Sequence, residues 1–117
     1  MIITLTETGG PIVDQIRDQI RGLIATGLLS GDQRLPSVRQ LANDLQIAPG
    51  TVAKAYHSLE AEGLLVTRIG SGTRVSVDAS ATPRRFLEAA SRLAGVGRRE
   101  GIDLDEAIRV LRAVWRG

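Results

Sequence analysis

The sequence contains no cysteine, which excludes disulfide bonds and thiolate metal sites. Its single histidine, His57, leaves no metal-ligand cluster and no Ser-His-Asp arrangement, so we expect neither an enzyme nor a bound cofactor. No apolar run is long enough to span a bilayer, and the N-terminus lacks the features of a secretory signal. The simplest expectation is a cytoplasmic protein with no membrane partner.

Aromatic residues are scarce, because Tyr56, Phe86 and Trp115 are the whole set. With 43% apolar residues the chain can still build a core, but that core must be aliphatic. A length of 117 residues fits one ordinary domain, or a small domain with an appendage.

Excess charge of one sign is also lacking, since the formal net charge is only +2. Residues 1–77 hold seven basic and seven acidic side chains, whereas residues 78–117 hold eight and six, which together give the 15 and 13 of the whole chain. Bulk charge therefore does not identify a nucleic-acid binder, and any such inference must come from where the charges lie.

Hydrophobic spacing predicts three helices in the first half of the chain. Residues 2–6 alternate weakly and are compatible with a short strand; a helix is expected from residue 12 to about Thr26, ended by Gly27. Ser37 and Gln40 form a capping-box pattern that begins a second helix. After a short turn at residues 46–48, Pro49 begins a third helix that runs to about Glu62.

The period then changes, and residues 64–69 and 73–77 read as two strands joined by a hairpin loop at residues 70–72. Two helices with a tight turn, followed by a hairpin, describe a winged helix-turn-helix domain over residues 1–77. Residues 78–117 are interpreted as a linker with two further helices. The first of these ends between Ala94 and Arg99, and the second begins at a capping box of Asp103 and Glu106. The predicted fold class is α+β, mostly α.

Small, polar and cationic side chains cluster where such a domain meets double-stranded DNA. The third helix would enter the major groove, the second would support it, and the hairpin would contact the backbone. The candidate DNA-binding residues are Arg34, Ser37, Arg39, Pro49, Gly50, Thr51, Lys54, His57, Arg68, Gly70, Ser71, Gly72 and Arg74.

Several of these residues also have a purely structural interpretation. Ser37 is first a helix cap, and His57 is more commonly a solvated surface residue. The glycines of the hairpin loop satisfy turn geometry, and Arg68 and Arg74 are compatible with simple cross-strand neighbours on an exposed ribbon.

The order and spacing of these motifs resemble the GntR superfamily of bacterial regulators. The resemblance rests on the runs 35–42, 51–59, 62–65 and 68–73, which read LPSVRQLA, TVAKAYHSL, EGLL and RIGSGT. It implies that Arg39, Thr51 and Gly70 contact DNA. The chain departs from many members at Ala48-Pro49, where they carry Ser-Arg or Thr-Arg. We therefore expect a base preference different from that of those members, with a larger part of it supplied by Lys54.

About 40 residues follow the hairpin, a length and layout that resemble the YtrA-like subfamily, whose short helical tail dimerises. Two helices of this size cannot bury their apolar side chains against each other alone. The expected dimerisation residues are Phe86, Leu87, Ala90, Leu93, Leu104, Ile108, Leu111, Val114 and Trp115. The alternative is that these helices pack back on their own domain.

The sequence thus predicts a homodimeric transcriptional regulator, a repressor that binds a palindromic operator. The alternative is a winged domain that binds proteins and has no DNA target, although the outward face of the third helix lacks the large apolar residues that such a role favours. An unidentified small-molecule effector is a further candidate partner.

Overall fold

The computed structural model describes residues 1–79 and 82–116. The chain divides into two compact units, Met1–Ala81 and Thr82–Gly117. The first unit contains helices α1 (Ile12–Ala25), α2 (Val38–Leu45) and α3 (Pro49–Ala61) and strands β1 (Leu65–Arg68) and β2 (Gly72–Val75). The second contains helices α4 (Arg84–Glu100) and α5 (Leu104–Trp115). Among the described residues, no helix is both long enough and apolar enough to cross a membrane.

The N-terminal segment is not a strand, so that prediction was wrong. Two glutamines of α1 hold it instead, because their side-chain amides bond its backbone as a neighbouring strand would. Gln19 accepts from the Thr4 N–H at 2.9 Å and donates to the Thr4 carbonyl at 2.7 Å. Gln15 makes the same pair of bonds with Thr6 and also donates to the Gly10 carbonyl. The segment thereby adds Ile3 to the core without a sheet.

Helix α1 forms one wall of the winged unit because its apolar residues recur on one face. Ile16 and Ile20 are completely buried. The helix ends before Gly27, whose φ of +77° terminates it as predicted. The core is aliphatic except for Tyr56, and it is shared by all three helices and both strands. The orientation of the outer surfaces therefore follows from how α3 packs on α1 and how α2 packs on α3.

Helices α2 and α3 form the helix-turn-helix. The Ser37 hydroxyl accepts from the Gln40 N–H at 3.1 Å, so the predicted cap is confirmed. The turn is three residues long, and Gln46 adopts a left-handed conformation with φ of 57°, while its side-chain amide donates to the Asn43 carbonyl. Such a tight turn fixes the angle between the helices, which places the outward face of α3.

The wing is larger than the predicted hairpin. Strands β1 and β2 pair antiparallel, with Leu65 opposite Val75 and Arg68 opposite Gly72. The segment before α2, for which the sequence predicted no strand, pairs with the other side of β2. The Leu35 N–H donates to the Thr73 carbonyl at 2.8 Å, and the Val75 N–H donates to the Gln33 carbonyl at 2.8 Å. The wing is therefore anchored to the helix-turn-helix by a third extended segment.

In the second unit α4 continues to Glu100, beyond the range of 94–99 predicted for its end. Gly97 lies inside the helix, at the point where the connection to α5 passes close to it. Its carbonyl accepts from the Ile102 N–H at 2.8 Å, and a Cβ there would lie 3.6 Å from the Ile102 carbonyl oxygen. Helix α5 begins as predicted, with the Asp103 carboxylate accepting from the Glu106 N–H at 2.8 Å.

Candidate nucleic-acid interface

The outward face of α3 consists of small, polar and cationic residues. Gly50, Lys54 and His57 follow one another at helical spacing and are all exposed, whereas Val52 and Tyr56 on the opposite face are buried. Of the predicted DNA-binding residues on α3, only Thr51 is half-buried. A helix with such a face has the width and chemistry that a DNA major groove accepts.

The N-terminus of α3 is open. Ala48 provides no side-chain cap, and Pro49 at the first helical position has no N–H to satisfy. The Thr51 N–H donates to the Ala48 carbonyl at 3.1 Å, and a Cβ on Gly50 would meet nothing within 4 Å. The departure from the family pattern at Ala48-Pro49 thus leaves a helix end with free space and positive partial charge, which favours a nearby anion.

Arg39 lies in the first turn of α2 and is exposed. One hydrogen bond ties its surroundings to α3, since the buried Tyr56 hydroxyl donates to the Pro36 carbonyl at 2.8 Å. Burial raises the pKa of Tyr56 above its ordinary value, so the hydroxyl keeps its proton and remains a donor. The loop that leads into Ser37 and Arg39 is therefore held directly against α3.

The far end of α3 is tied to its neighbours by polar contacts. Arg21 of α1 pairs with the Glu62 carboxylate at 2.7 Å, and that carboxylate raises the pKa of the guanidinium. Glu60 accepts from the Thr67 hydroxyl of β1 at 2.8 Å. Both acidic residues are thus engaged away from the open N-terminus, which leaves the outward face of α3 cationic.

Three arginines share the outer face of the wing, and the strand register explains why. Arg34, in the extended segment before α2, lies directly opposite Arg74 of β2. Val66 of β1 lies opposite Arg74 on the other side of β2. Because side chains two apart in a strand share a face, Arg68 lies on the side of Val66, Arg74 and Arg34. The other face carries Leu65 and Val75 into the core.

Like charges placed opposite each other destabilise a sheet unless a counter-charge is near. In residues 1–79 and 82–116, the ion pairs involve only Arg17 and Arg21 as cations, so none of the three wing arginines has an acidic partner there. Arg74 donates to the Asp32 carbonyl at 3.0 Å, and the Arg34 guanidinium lies over Gly72, where a Cβ would come within 3.2 Å of it. The arrangement suits an external anion.

The hairpin tip is a tight turn with Ile69 and Gly70 at its centre. The Ser71 N–H donates to the Arg68 carbonyl at 3.1 Å, and Gly70 has a φ of +82°, as a type II turn requires. Ile69 is completely exposed, at 107%. Sequence reasoning missed this residue because it treated Ile69 as part of a strand; the signal was a large apolar residue directly before a turn glycine.

The predicted DNA-binding residues fall into two groups within the winged unit. One belongs to the helix-turn-helix and the other to the wing, and the pairing of residues 33–35 with β2 joins them, because Leu35 leads directly into the Ser37 cap. Arg34 belongs with the wing, which its position in the sequence did not show. The predicted dimerisation residues all lie on α4 and α5.

Comparison with known proteins identifies the family. Residues 12–75, more than half of the chain, match the family described as "Bacterial regulatory proteins, gntR family". The chain belongs to the gntR family. The resemblance inferred from the sequence motifs is thereby confirmed, and the matched residues extend from the first helix to the end of the wing.

Two curated relatives extend this similarity. The HTH-type transcriptional regulator Rv1152 of Mycobacterium tuberculosis is 37% identical over 105 residues, which cover 90% of this chain and 86% of that protein. The HTH-type transcriptional repressor YtrA of Bacillus subtilis is 43% identical over 72 residues, 62% of this chain and 55% of that protein. The aligned part of this chain thus spans only about half of the Bacillus repressor.

Solved structures support the same family assignment. The YtrA protein of Sulfolobus acidocaldarius, a GntR-family transcription factor, has a TM-score of 0.61 at 37% identity, covering 82% of this chain and 99% of that chain. The DNA-binding domain of AraR in complex with an operator has a TM-score of 0.55 at 29% identity, covering 65% and 92%. The gntR protein described here has the winged helix-turn-helix fold of a YtrA-like regulator. It is a DNA-binding transcriptional regulator and not an enzyme.

Proposed function

We propose that this protein is a homodimeric repressor that binds an approximately palindromic operator. The observation that carries the proposal is the composition of its two exposed surfaces. The winged unit presents cationic and small polar residues on α3, α2 and the wing, whereas the two-helix unit presents apolar residues. The first suits a DNA duplex and the second suits another copy of the chain.

The reading of bases is assigned to the start of α3 and to Arg39. Gly50 and Thr51 lie at the open N-terminus, where phosphate contacts fix the register. Lys54, one turn further, can donate to guanine O6 or N7, and Arg39 can donate to a guanine edge with two parallel hydrogen bonds. His57 and Ser37 lie at the margins of this surface, where Ser37 keeps its role as a cap.

The wing is assigned to phosphate binding. Arg34, Arg68 and Arg74 share one face without an acidic partner among the described residues, and each guanidinium can hold a phosphate with two donors. Gly70, Ser71 and Gly72 bring the backbone close to the duplex. These contacts supply affinity that depends on salt but not on sequence.

The alternative of a protein-binding winged domain is not favoured by α3. A protein-binding helix would present large apolar side chains, and the exposed positions of this helix carry proline, glycine, lysine, histidine and alanine. The relative bound to an operator in a solved structure supports the DNA assignment over the same fold. As a regulator that acts on bacterial DNA, the protein is placed by this proposal in the cytoplasm.

Dimerisation is assigned to α4 and α5. Neither helix has a buried residue, and their apolar side chains meet only in part: Phe86 and Trp115 pack edge to face with ring centres 6.2 Å apart. Leu93, Ile108 and Leu111 remain 38–48% exposed along an apolar groove between the two helices. Ala90 and Leu104 also line this groove, and Leu87, Val114 and Trp115 extend the apolar surface beyond it. Exposed apolar surface of this kind favours association.

A selection experiment tests the proposal. Duplexes bound by the full chain are recovered from a random-sequence library and their affinities measured against mixed competitor DNA. We expect two inverted half-sites whose centres lie about 34 Å, or one helical turn, apart. Failure to enrich any sequence would overturn the regulator proposal, and a single unpaired half-site would overturn the dimer.

The dimer has its own test in the full-length chain. Leu93→Glu combined with Leu111→Glu places charge in the apolar groove, and sedimentation should then show a monomer. Val77→Glu is the matched control, because Val77 is 71% exposed but belongs to the winged unit. A dimer that persists in the double variant, with its helical content unchanged, contradicts the role of the two-helix unit.

A further inference from the structure

One large apolar side chain of the winged unit lies where the fold gives it no packing role. Ile69 occupies the tip of the wing and is completely exposed, at 107%. The turn itself depends on Gly70, whose φ of +82° closes the hairpin, and on the hydrogen bond from the Ser71 N–H to the Arg68 carbonyl. Neither contribution requires an isoleucine, and β-branched residues are not turn formers. Packing within the winged unit therefore gives no reason for an isoleucine at this position.

The surroundings of Ile69 indicate what that contact is. Arg68 precedes it, and Arg34 and Arg74 lie on the same outer face of the wing as Arg68. Its other neighbour, Gly70, has no side chain, so the tip narrows to a single apolar group. A narrow apolar tip flanked by guanidinium groups fits a cleft that has anionic rims and a floor without protruding polar groups. The minor groove of duplex DNA at A·T pairs, about 6 Å wide between two phosphate rows, has that form.

We propose that Ile69 lies on the minor-groove floor beside the half-site and selects A·T over G·C at the base pair it touches. This proposal rests on the proposed DNA-binding function and adds a specificity determinant to it. With α3 in the major groove, as proposed above, the wing, whose strand β1 packs against that helix, would meet the adjacent minor groove. Apolar side chains are used there by other DNA-binding proteins.

The selection follows from the chemistry of the groove floor. An A·T pair presents only the acceptors adenine N3 and thymine O2, whereas a G·C pair adds the guanine 2-amino donor. Isoleucine has no acceptor for that amino group. Contact with a G·C pair would therefore bury an unsatisfied donor and also separate the side chain from the floor. Contact with an A·T pair leaves space for the branched side chain.

Inosine separates this mechanism from other readout, because an I·C pair keeps the major-groove face of G·C but lacks the 2-amino group. The probe is the best duplex from the random-library selection, altered only at the A·T pairs that flank a half-site. For the unmodified chain we expect about tenfold weaker binding when a flanking A·T becomes G·C. We expect that loss to be recovered when the same pair becomes I·C.

The variant Ile69→Asn supplies a side-chain carbonyl that can accept from the guanine amino group. The penalty for G·C should then fall to less than about twofold. Leu28→Asn is the matched control: Leu28 is also strongly exposed, at 71%, but lies outside the wing, so its variant should keep the full penalty. The isoleucine proposal is overturned if I·C binds as weakly as G·C, or if Ile69→Asn keeps the full penalty.

Loss of the regulator function and loss of the role of Ile69 give different binding results. If the unmodified chain binds all duplexes equally, the regulator function itself is wrong. If it binds a selected half-site tightly but tolerates every flanking pair, the regulator function stands and the role of Ile69 is wrong. Tolerance of every flanking pair is also the result expected if Ile69 contacts a protein partner instead of DNA.

Discussion

Removing the three arginines of the wing should change the salt dependence of DNA binding by a calculable amount. The perturbation is the triple substitution Arg34→Gln, Arg68→Gln and Arg74→Gln, which keeps polar side chains while removing three charges. Arg34 and Arg68 are exposed and Arg74 donates one hydrogen bond to the Asp32 carbonyl, so we expect the fold to tolerate the change. Loss of the unfavourable pairing of Arg34 with Arg74 offsets part of that lost bond.

Each phosphate contact contributes about 0.9 to the slope of log affinity against log salt. If each wing arginine binds one phosphate, the slope for one protomer on a duplex with one half-site becomes shallower by about 2.7. Over a fourfold rise in salt, from about 50 to about 200 mM, the unmodified protein should lose about 40-fold more affinity than the variant loses. Fluorescence anisotropy with a labelled half-site duplex, at several salt concentrations, measures both slopes.

Arg17→Gln is the matched control for that measurement. The Arg17 guanidinium is already paired with Asp14 at 3.1 Å and with Asp18 at 3.2 Å on α1, so its removal should leave the slope unchanged. The assignment of the wing arginines to phosphate is refuted if the triple variant keeps the slope of the unmodified protein, or if Arg17→Gln lowers the slope as much per charge.

Three further predictions concern single residues and the tail. Arg39→Ala should weaken operator binding by about 1–3 kcal/mol if the side chain pairs with a base or a buried phosphate, and an unchanged affinity in a folded variant removes Arg39 from the interface. A dimer held by α4 and α5 should dissociate on dilution, and its affinity for the operator should then fall. An operator affinity that is the same above and below the concentration at which the dimer dissociates argues against a dimeric requirement. Because burial raises the pKa of Tyr56, ionisation of this residue should leave folded stability unchanged below pH ~10. Above pH ~10 it should lower stability by up to about 1.4 kcal/mol per pH unit, since there the Tyr56 hydroxyl ionises only in the unfolded chain. Thermal melts of Tyr56→Phe should lack that decline, and a decline equal to that of the unmodified chain contradicts the burial argument.

The helices were predictable because each carries its own local signals. Ser37 and Asp103 cap α2 and α5 as their spacing predicts, and Gly27 ends α1 through its left-handed backbone. The order of these motifs along the chain also indicates the gntR family. These are short-range patterns, in which the deciding residues lie within one or two turns of the element they control.

The features that sequence reasoning missed depend on contacts between distant residues. The weak alternation of residues 2–6 suggested a strand, but its partners are the side chains of Gln15 and Gln19 rather than another backbone. The pairing of Leu35 with Thr73 spans the whole helix-turn-helix, so no local period reveals it. The end of α4 was predicted too early because glycine is a weak helix former, whereas Gly97 lies inside the helix where Ile102 approaches closely.

The same distinction applies to the candidate interface. Exposure of Lys54 and His57 followed from helical spacing, because the apolar positions of α3 fix which side faces the core. The common face of Arg34, Arg68 and Arg74 could not be predicted from local spacing, because it requires the register of three extended segments. Ile69 was overlooked since a one-residue difference in where β1 ends decides whether it belongs to a strand or to the turn.

The most direct test of the central claim is a residue-resolved titration of the full chain with its selected duplex, followed through backbone amide signals in NMR. If the winged surface binds DNA as proposed, the perturbed amides are those of Arg39, residues 50–54 and residues 68–72, and the exposed amides around Asp14 and Asp18 of α1 do not change. Perturbations centred on α1 instead, with α3 and the wing unaffected, would contradict the account.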